Sequence, residues 1–329
     1  MGLCVEALSL GRGLKFVAGK GGKAILARVL AALIFISAPA SSAFAESTPE
    51  VVRAKAPGDD GEKARTERAM DAPPPELAKA NLNLVAGEAL VYDIRVNGMP
   101  AGKASLEVQK QDTMEPNNAG PSIWIVTLNT KSNRAVSLYY DVRDRATAKI
   151  DTLGGFSRFC HIEKKDGDVK DEEVVNFDYD YINMQATYER RRLGDGKFRS
   201  HTIPLKGNVL DPLTAIYYLR SIDFTKYKPK DYIDLPICTD RRVWSTRLKV
   251  LDNILVGDFG ELKNRKYIKL LTDPPFKGLF EKKGSMVICV DTQTGIPLRL
   301  NVEIPIGSAE VELSEHSKSP LDVEDETKK

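Results

Sequence analysis

Histidine is nearly missing from this chain of 329 residues, which has only His161, His201 and His316. None has a second His or Cys at a spacing that closes a metal site, so no metal centre is expected. Cysteine is almost as scarce: Cys4 comes early, and Cys160, Cys238 and Cys289 are widely separated. An odd count beyond Cys4 guarantees one unpaired thiol. Two of the three can form a disulfide in an oxidising compartment, or all three can serve as small buried hydrophobes; both readings stay open. A nucleophile elbow, a phosphate-cradling glycine loop and a dinucleotide-binding fingerprint are also missing. No catalytic residue and no cofactor is therefore expected. Convincing internal repeats are not visible either.

Long apolar runs are absent as well. The uninterrupted stretch Val29 to Ile36 falls far short of the ~20 residues that span a bilayer. It does fit the apolar core of a signal peptide, since basic residues precede it and Ala43-Phe44-Ala45 follows as a small-x-small cleavage site. Cleavage is expected near Ala45, before Glu46, sending the mature chain to the periplasm with no integral membrane span. No cysteine follows the small residues, so lipid anchoring is not expected. Removing residues 1–45 also removes five basic groups and one acid, which leaves 43 basic and 45 acidic groups and a net charge near −2. A chain so balanced has no global electrostatic attraction to nucleic acid.

From Glu46 to Asn81 the composition turns to Ala, Pro, Glu, Lys, Arg and Asp without an aromatic, and Pro73-Pro74-Pro75 lies near its end. Such a segment buries too little apolar surface to offset its ordering entropy, and reads as a disordered linker. Residues 316–329 read as a disordered tail for the same reason.

Residues 82–315 carry a different pattern. In GEALVYDIRV, Leu90, Tyr92, Ile94 and Val96 alternate with Val91, Asp93 and Arg95, the period-two signature of a strand buried on one face. Asn97-Gly98 is a hairpin turn signal, and Ala104, Leu106 and Val108 alternate again beyond it. Further strands are expected at 123–128, 137–142, 147–151, 156–164, 174–179, 184–190, 242–251, 262–271, 285–291, 297–304 and 307–313. The implied fold is all-β and mainly antiparallel, a curved sheet or barrel-like meander. One segment departs from it: DPLTAIYYLR, residues 211–220, opens with an acid and a proline and then places Leu213, Ile216, Tyr217 and Arg220 at helical spacing. It predicts one amphipathic helix, laid against the sheet or plugging a barrel end.

The densest polar cluster is Asp141-Val142-Arg143-Asp144-Arg145. On a strand Arg143 and Arg145 project on one face about 7 Å apart, close enough to clamp one anionic group. The competing reading is a solvated, ion-paired face. Arg143, Asp144, Arg145 and Tyr217 are the candidate ligand-binding residues, although adjacent aromatics such as Tyr217 and Tyr218 more often pack a core. The basic run Arg190-Arg191-Arg192 reads as a solubilising hairpin end.

Four segments together, GEALVYDIRVNGMPAGKASLEV, VRDRATAKID, DPLTAIYYLR and FEKKGSMVICVDTQTGIPLRLNVEIPIGSAEVEL, resemble an exported bacterial family known as domain of unknown function 3108. The likeness runs from Ala86 to Leu313, and its most specific part carries Gly284, Asp291, Pro297 and Gly307 in order. The resemblance implies a periplasmic or cell-envelope location and an antiparallel β architecture, and brings no established reaction. Two functions follow as expectations. The first is a binding module whose curved sheet holds a lipid or other envelope amphiphile. The second is a cell-wall or polysaccharide enzyme using Asp144 and Asp151 as acid and base; a scaffold for protein contacts is a further alternative.

Overall fold

A computed structural model describes residues 76–80, 82–111, 122–138, 141–165, 172–239, 241–273, 286–304 and 307–317. The expected signal peptide, and most of the expected linker and tail, lie outside them. Fifteen strands form one antiparallel sheet: β1 (Ala89–Val96), β2 (Met99–Gln111), β3 (Ile123–Ser132), β4 (Arg143–Asp151), β5 (Ser157–Lys164), β6 (Glu173–Asp180), β7 (Gln185–Arg192), β8 (Phe198–Pro204), β9 (Tyr232–Thr239), β10 (Arg242–Val250), β11 (Leu255–Phe259), β12 (Leu262–Asp273), β13 (Met286–Asp291), β14 (Pro297–Ile304) and β15 (Gly307–Ser317). Their order is β8-β7-β6-β5-β4-β3-β2-β1-β15-β14-β13-β12-β10-β9, with β11 paired to β12. The sheet is a meander that curls without closing, and the pairing of β1 with β15 joins its two halves.

Alternation is what makes these strands. β1 buries every second residue, and Asn97 and Gly98 at φ +50° and +77° supply the left-handed conformations that a tight hairpin needs. Two other turns share one design. In each, an aspartate Oδ1 accepts the amides two and three residues on, those of Leu153 and Gly154 for Asp151 and of Gln293 and Thr294 for Asp291. The other oxygen takes an arginine, Arg158 at 2.7 Å or Arg265 at 2.6 Å. A glycine at φ +67° follows in both, Gly155 and Gly295. This shared Asp-Thr-x-x-Gly turn is a local echo that sequence reading had not registered as a repeat.

Among the described residues of the segment expected as a strand at 137–142, Ser137 ends a helical turn and the next strand starts only at Arg143. Asn133 caps a single helical turn, α1 (Arg134–Ser137), by accepting the Val136 amide through its side chain. The folded region also overruns its expected bounds. Leu77 is buried, the Ala80 amide donates to the Gly154 carbonyl, and β15 continues to Ser317 with His316 opposite Leu90.

The second helix, α2 (Pro212–Tyr218), sits inside the curl. All seven of its residues are buried, so its apolar surface wraps the whole cylinder rather than one stripe. A helix this short is unstable alone and persists because each large buried side chain contributes roughly 1.5–3 kcal/mol. Asp211 starts it: Oδ1 accepts the Leu213 and Thr214 amides, and Oδ2 accepts the hydroxyls of Ser157 and Thr214 at 2.6 and 2.5 Å. Burial raises the Asp211 pKa above the ordinary aspartate value even against these hydrogen bonds.

Candidate functional site: an apolar cleft between the inner helix and the sheet

Strand β9 is buried on both faces. On one face Cys238 meets Tyr179; burial raises its thiol pKa and that of Cys160 on β5, and Cys238 adds to the rise at Cys160. On the other face, Leu235 and Ile237 turn toward α2 and the opposite wall of the sheet. The cleft enclosed there is lined by Leu106 and Leu128 from β2 and β3, Ile216 and Leu219 from the helix region, and Ile288 and Leu300 from β13 and β14, among other apolar side chains. Tyr92 is the polar exception in the wall, and its hydroxyl donates to the carbonyl of Pro297, another lining residue, at 2.9 Å. Burial raises the Tyr92 pKa far above its usual value, with Tyr217 adding to the effect. The cleft is small, with a cavity volume of about 30 Å³.

At the end of the helix region, Glu88, Arg220 and His316 form a buried hydrogen-bonded cluster. Arg220 Nη1 lies 2.7 Å from Glu88 Oε2 and His316 Nε2 2.9 Å from Glu88 Oε1, with all three side chains at most 7% exposed. Because Glu88 precedes β1 and His316 is on β15, the cluster ties the helix end to the seam of the sheet. The Gly295 turn lies against the backbone of Arg220.

The structure divides the sequence-predicted residues. Arg143 and Arg145 are exposed on the outer face of β4, Arg143 at 2.8 Å from Asp141, while Asp144 points inward, 2% exposed, and accepts the Lys165 amide. Strand alternation thus prevents the three from facing one ligand together. Tyr217 is buried beside the Arg220 guanidinium, 4.9 Å from its ring centre, and outside the cleft wall. Asp144 and Asp151 are seven residues apart on one strand, about 23 Å at ~3.3 Å per residue. Glycosidase carboxyls are about 5–9.5 Å apart, and Asp151 is already committed to its turn and to Arg158. All three described cysteines are free and buried.

The cleft residues come from seven strands and the helix region, and sequence reading did not assemble them. The only signal in the sequence was the helix itself.

Among the described residues no helix is long and apolar enough to cross a membrane. No curated protein is significantly similar to the chain in sequence. Similar solved structures include a β-barrel-like protein of domain of unknown function DUF1849 from Brucella abortus, at 10% identity and a TM-score of 0.46, with 72% of this chain and 98% of that one covered. Another is the hypothetical protein CT021 from Chlamydia trachomatis, at 10% identity and a TM-score of 0.33, with 72% and 89% covered. The family of proteins of unknown function DUF3108 matches residues 91–314, nearly the whole folded region, and the chain belongs to that family.

Proposed function

We propose that this protein is exported to the periplasm and holds an apolar or amphipathic molecule of the cell envelope in the cleft between α2 and the sheet. The observation that carries the reading is the cleft: a lining almost wholly apolar, in the interior of the fold, with its one hydroxyl already satisfied. A small number of polar groups within an apolar enclosure is the usual composition of a lipid or small-molecule site. Export is supported by the basic, apolar and small-residue segments ending at Ala45. The separation of Asp144 from Asp151 weighs against the carboxylate-pair enzyme.

Organic extraction of the protein purified from its periplasmic fraction, followed by mass spectrometry, tests the reading. An acyl or other apolar species in stoichiometric amount is expected. A clean extract, together with no uptake of any alkyl probe by the purified protein, refutes it.

A further inference from the structure

Cations are stacked against one another on the outer face of the sheet, close to the β1–β2 hairpin. Lys103 on β2 is directly opposite Lys131 on β3, and Lys131 is directly opposite Arg143 on β4. All three are exposed, as is Arg145 two residues further along β4. Opposed residues on neighbouring strands face the same way with Cβ atoms about 5 Å apart, and like charges so placed destabilise a sheet. Acids relieve only the two ends of this row: Asp93 and Glu315 lie 3.4 and 3.7 Å from Lys103, and Asp141 lies 2.8 Å from Arg143. Lys131, in the middle, makes no ion pair among the described residues, and neither does Arg145, although Glu163 is opposite it. The acid-rich stretch 166–172 follows in the chain beyond β5, so the cationic surface is confined to β2, β3 and β4.

Apolar side chains stand at the rim just past this row. Met99, at the start of β2, is 41% exposed, and Leu138, directly after α1, is 78% exposed. Their segments are tied together, because Asn133 donates through Nδ2 to the Pro100 carbonyl at 2.7 Å and through its amide to the Ala101 carbonyl at 2.9 Å. Arg134 begins α1, exposed and without an ion pair among the described residues. Exposed aliphatic tips with a cationic row behind them match the two demands of a membrane interface: the tips enter the acyl boundary, and lysine and arginine reach the lipid phosphates. We infer that this rim docks the protein on a bilayer bearing anionic phospholipid, with Leu138 and Met99 entering the boundary and Lys131, Arg134, Arg143 and Arg145 meeting phosphates. The phosphates offset the repulsion that the fold leaves uncompensated at Lys131. A soluble polyanion would use the row but not the aliphatic tips. Leu153 and Ile182 are exposed at the opposite end of the sheet, but the outer-face row nearest them runs Lys149, Phe159, Asp178, where the acid cancels the base. The inference goes beyond the cleft reading and does not rest on it.

Flotation of the purified protein with vesicles of phosphatidylcholine alone, and with vesicles of equal parts phosphatidylcholine and phosphatidylglycerol, tests the assignment. Binding to the mixed vesicles is expected to be at least about tenfold tighter and to weaken as salt is raised. Lys131→Glu sets an acid between two bases, so its Tm should equal or exceed that of wild type. Its affinity for mixed vesicles should nevertheless fall more than about tenfold, at roughly fivefold per unit of charge. Leu138→Ser should weaken mixed-vesicle binding about threefold or more while leaving retention on immobilised dextran sulfate unchanged. Lys206→Gln, an exposed base between β8 and α2, should bind as wild type does. Absence of binding, or equal binding to both vesicle types, overturns the inference, as does a fall in the Tm of Lys131→Glu, which would show that the row serves the fold. Mixed-vesicle binding unaffected by Leu138→Ser assigns the row to a soluble polyanion and overturns the membrane as its partner. The cleft reading stands under each of these results.

Discussion

Replacing Asp211 with alanine removes four hydrogen bonds from the start of the buried helix: two to the Leu213 and Thr214 amides and two to the Ser157 and Thr214 hydroxyls. Loss of the cap alone costs about 1 kcal/mol. The Ser157 and Thr214 hydroxyls, both fully buried, are left as donors without acceptors at about 1–3 kcal/mol each. Relief of burying a carboxyl returns part of this, so about 3–4 kcal/mol is expected, a large share of a typical stability of ~5–15 kcal/mol. Urea unfolding followed by circular dichroism measures it. Asp211→Asn keeps the Oδ1 acceptor and should lose about 1 kcal/mol at neutral pH. The pH dependence has a definite sign. The folded pKa of Asp211 is raised above 3.8 by burial, so its contribution to stability is fully present below pH 3.8 and is lost as pH rises through the folded value. The difference between wild type and Asp211→Asn should therefore narrow from pH 4 to pH 7. A loss under 1 kcal/mol for Asp211→Ala, or a difference that widens with pH, refutes the reasoning.

Other perturbations have equally direct outcomes. Gly295 is at φ +67° and an added Cβ would run into the Arg220 backbone; Gly295→Ala should cost about 2–3 kcal/mol, or roughly 5–10 °C in Tm. Burial pushes the Cys238 thiol up to about 12, so iodoacetamide at pH 8 should leave Cys238 unmodified in the native protein and label it fully in 6 M guanidinium. Arg143→Gln and Arg145→Gln change exposed outer-face residues and should shift stability by no more than about 0.5 kcal/mol, with alkyl-probe affinity unaltered in titration calorimetry.

The sheet was legible wherever a strand buries one face. Strands β1 to β7, β10 and β12 to β15 follow in their approximate spans from the period of two. Three strands escaped for separate reasons. β8 buries only Ile203 among its described side chains, so an edge strand offers no alternation to read. β9 is buried on both faces and contains Pro236, which demotes a strand in sequence reading. β11 is five residues with a glycine inside. The helix was readable from Asp211 and Pro212, but its burial on every side was not, because an open barrel interior receives it. The site was the least legible part. Tyr92, Ala215, Ile237 and Leu300 look like ordinary core residues until the curl places them around one space. The charged run at 141–145 stood out in sequence because it is polar, and two of its arginines are polar because they face solvent.

Intermolecular NOEs between a ¹³C-labelled lauroyl chain and the methyl groups of Leu128, Ile216, Ile288 and Leu300, recorded on the purified protein, test the cleft as the binding site most directly. Contacts to all four methyls at once, from one bound chain, are the predicted result. A bound chain whose contacts fall only on surface residues such as Leu153, Ile182 and Val256 would contradict the account.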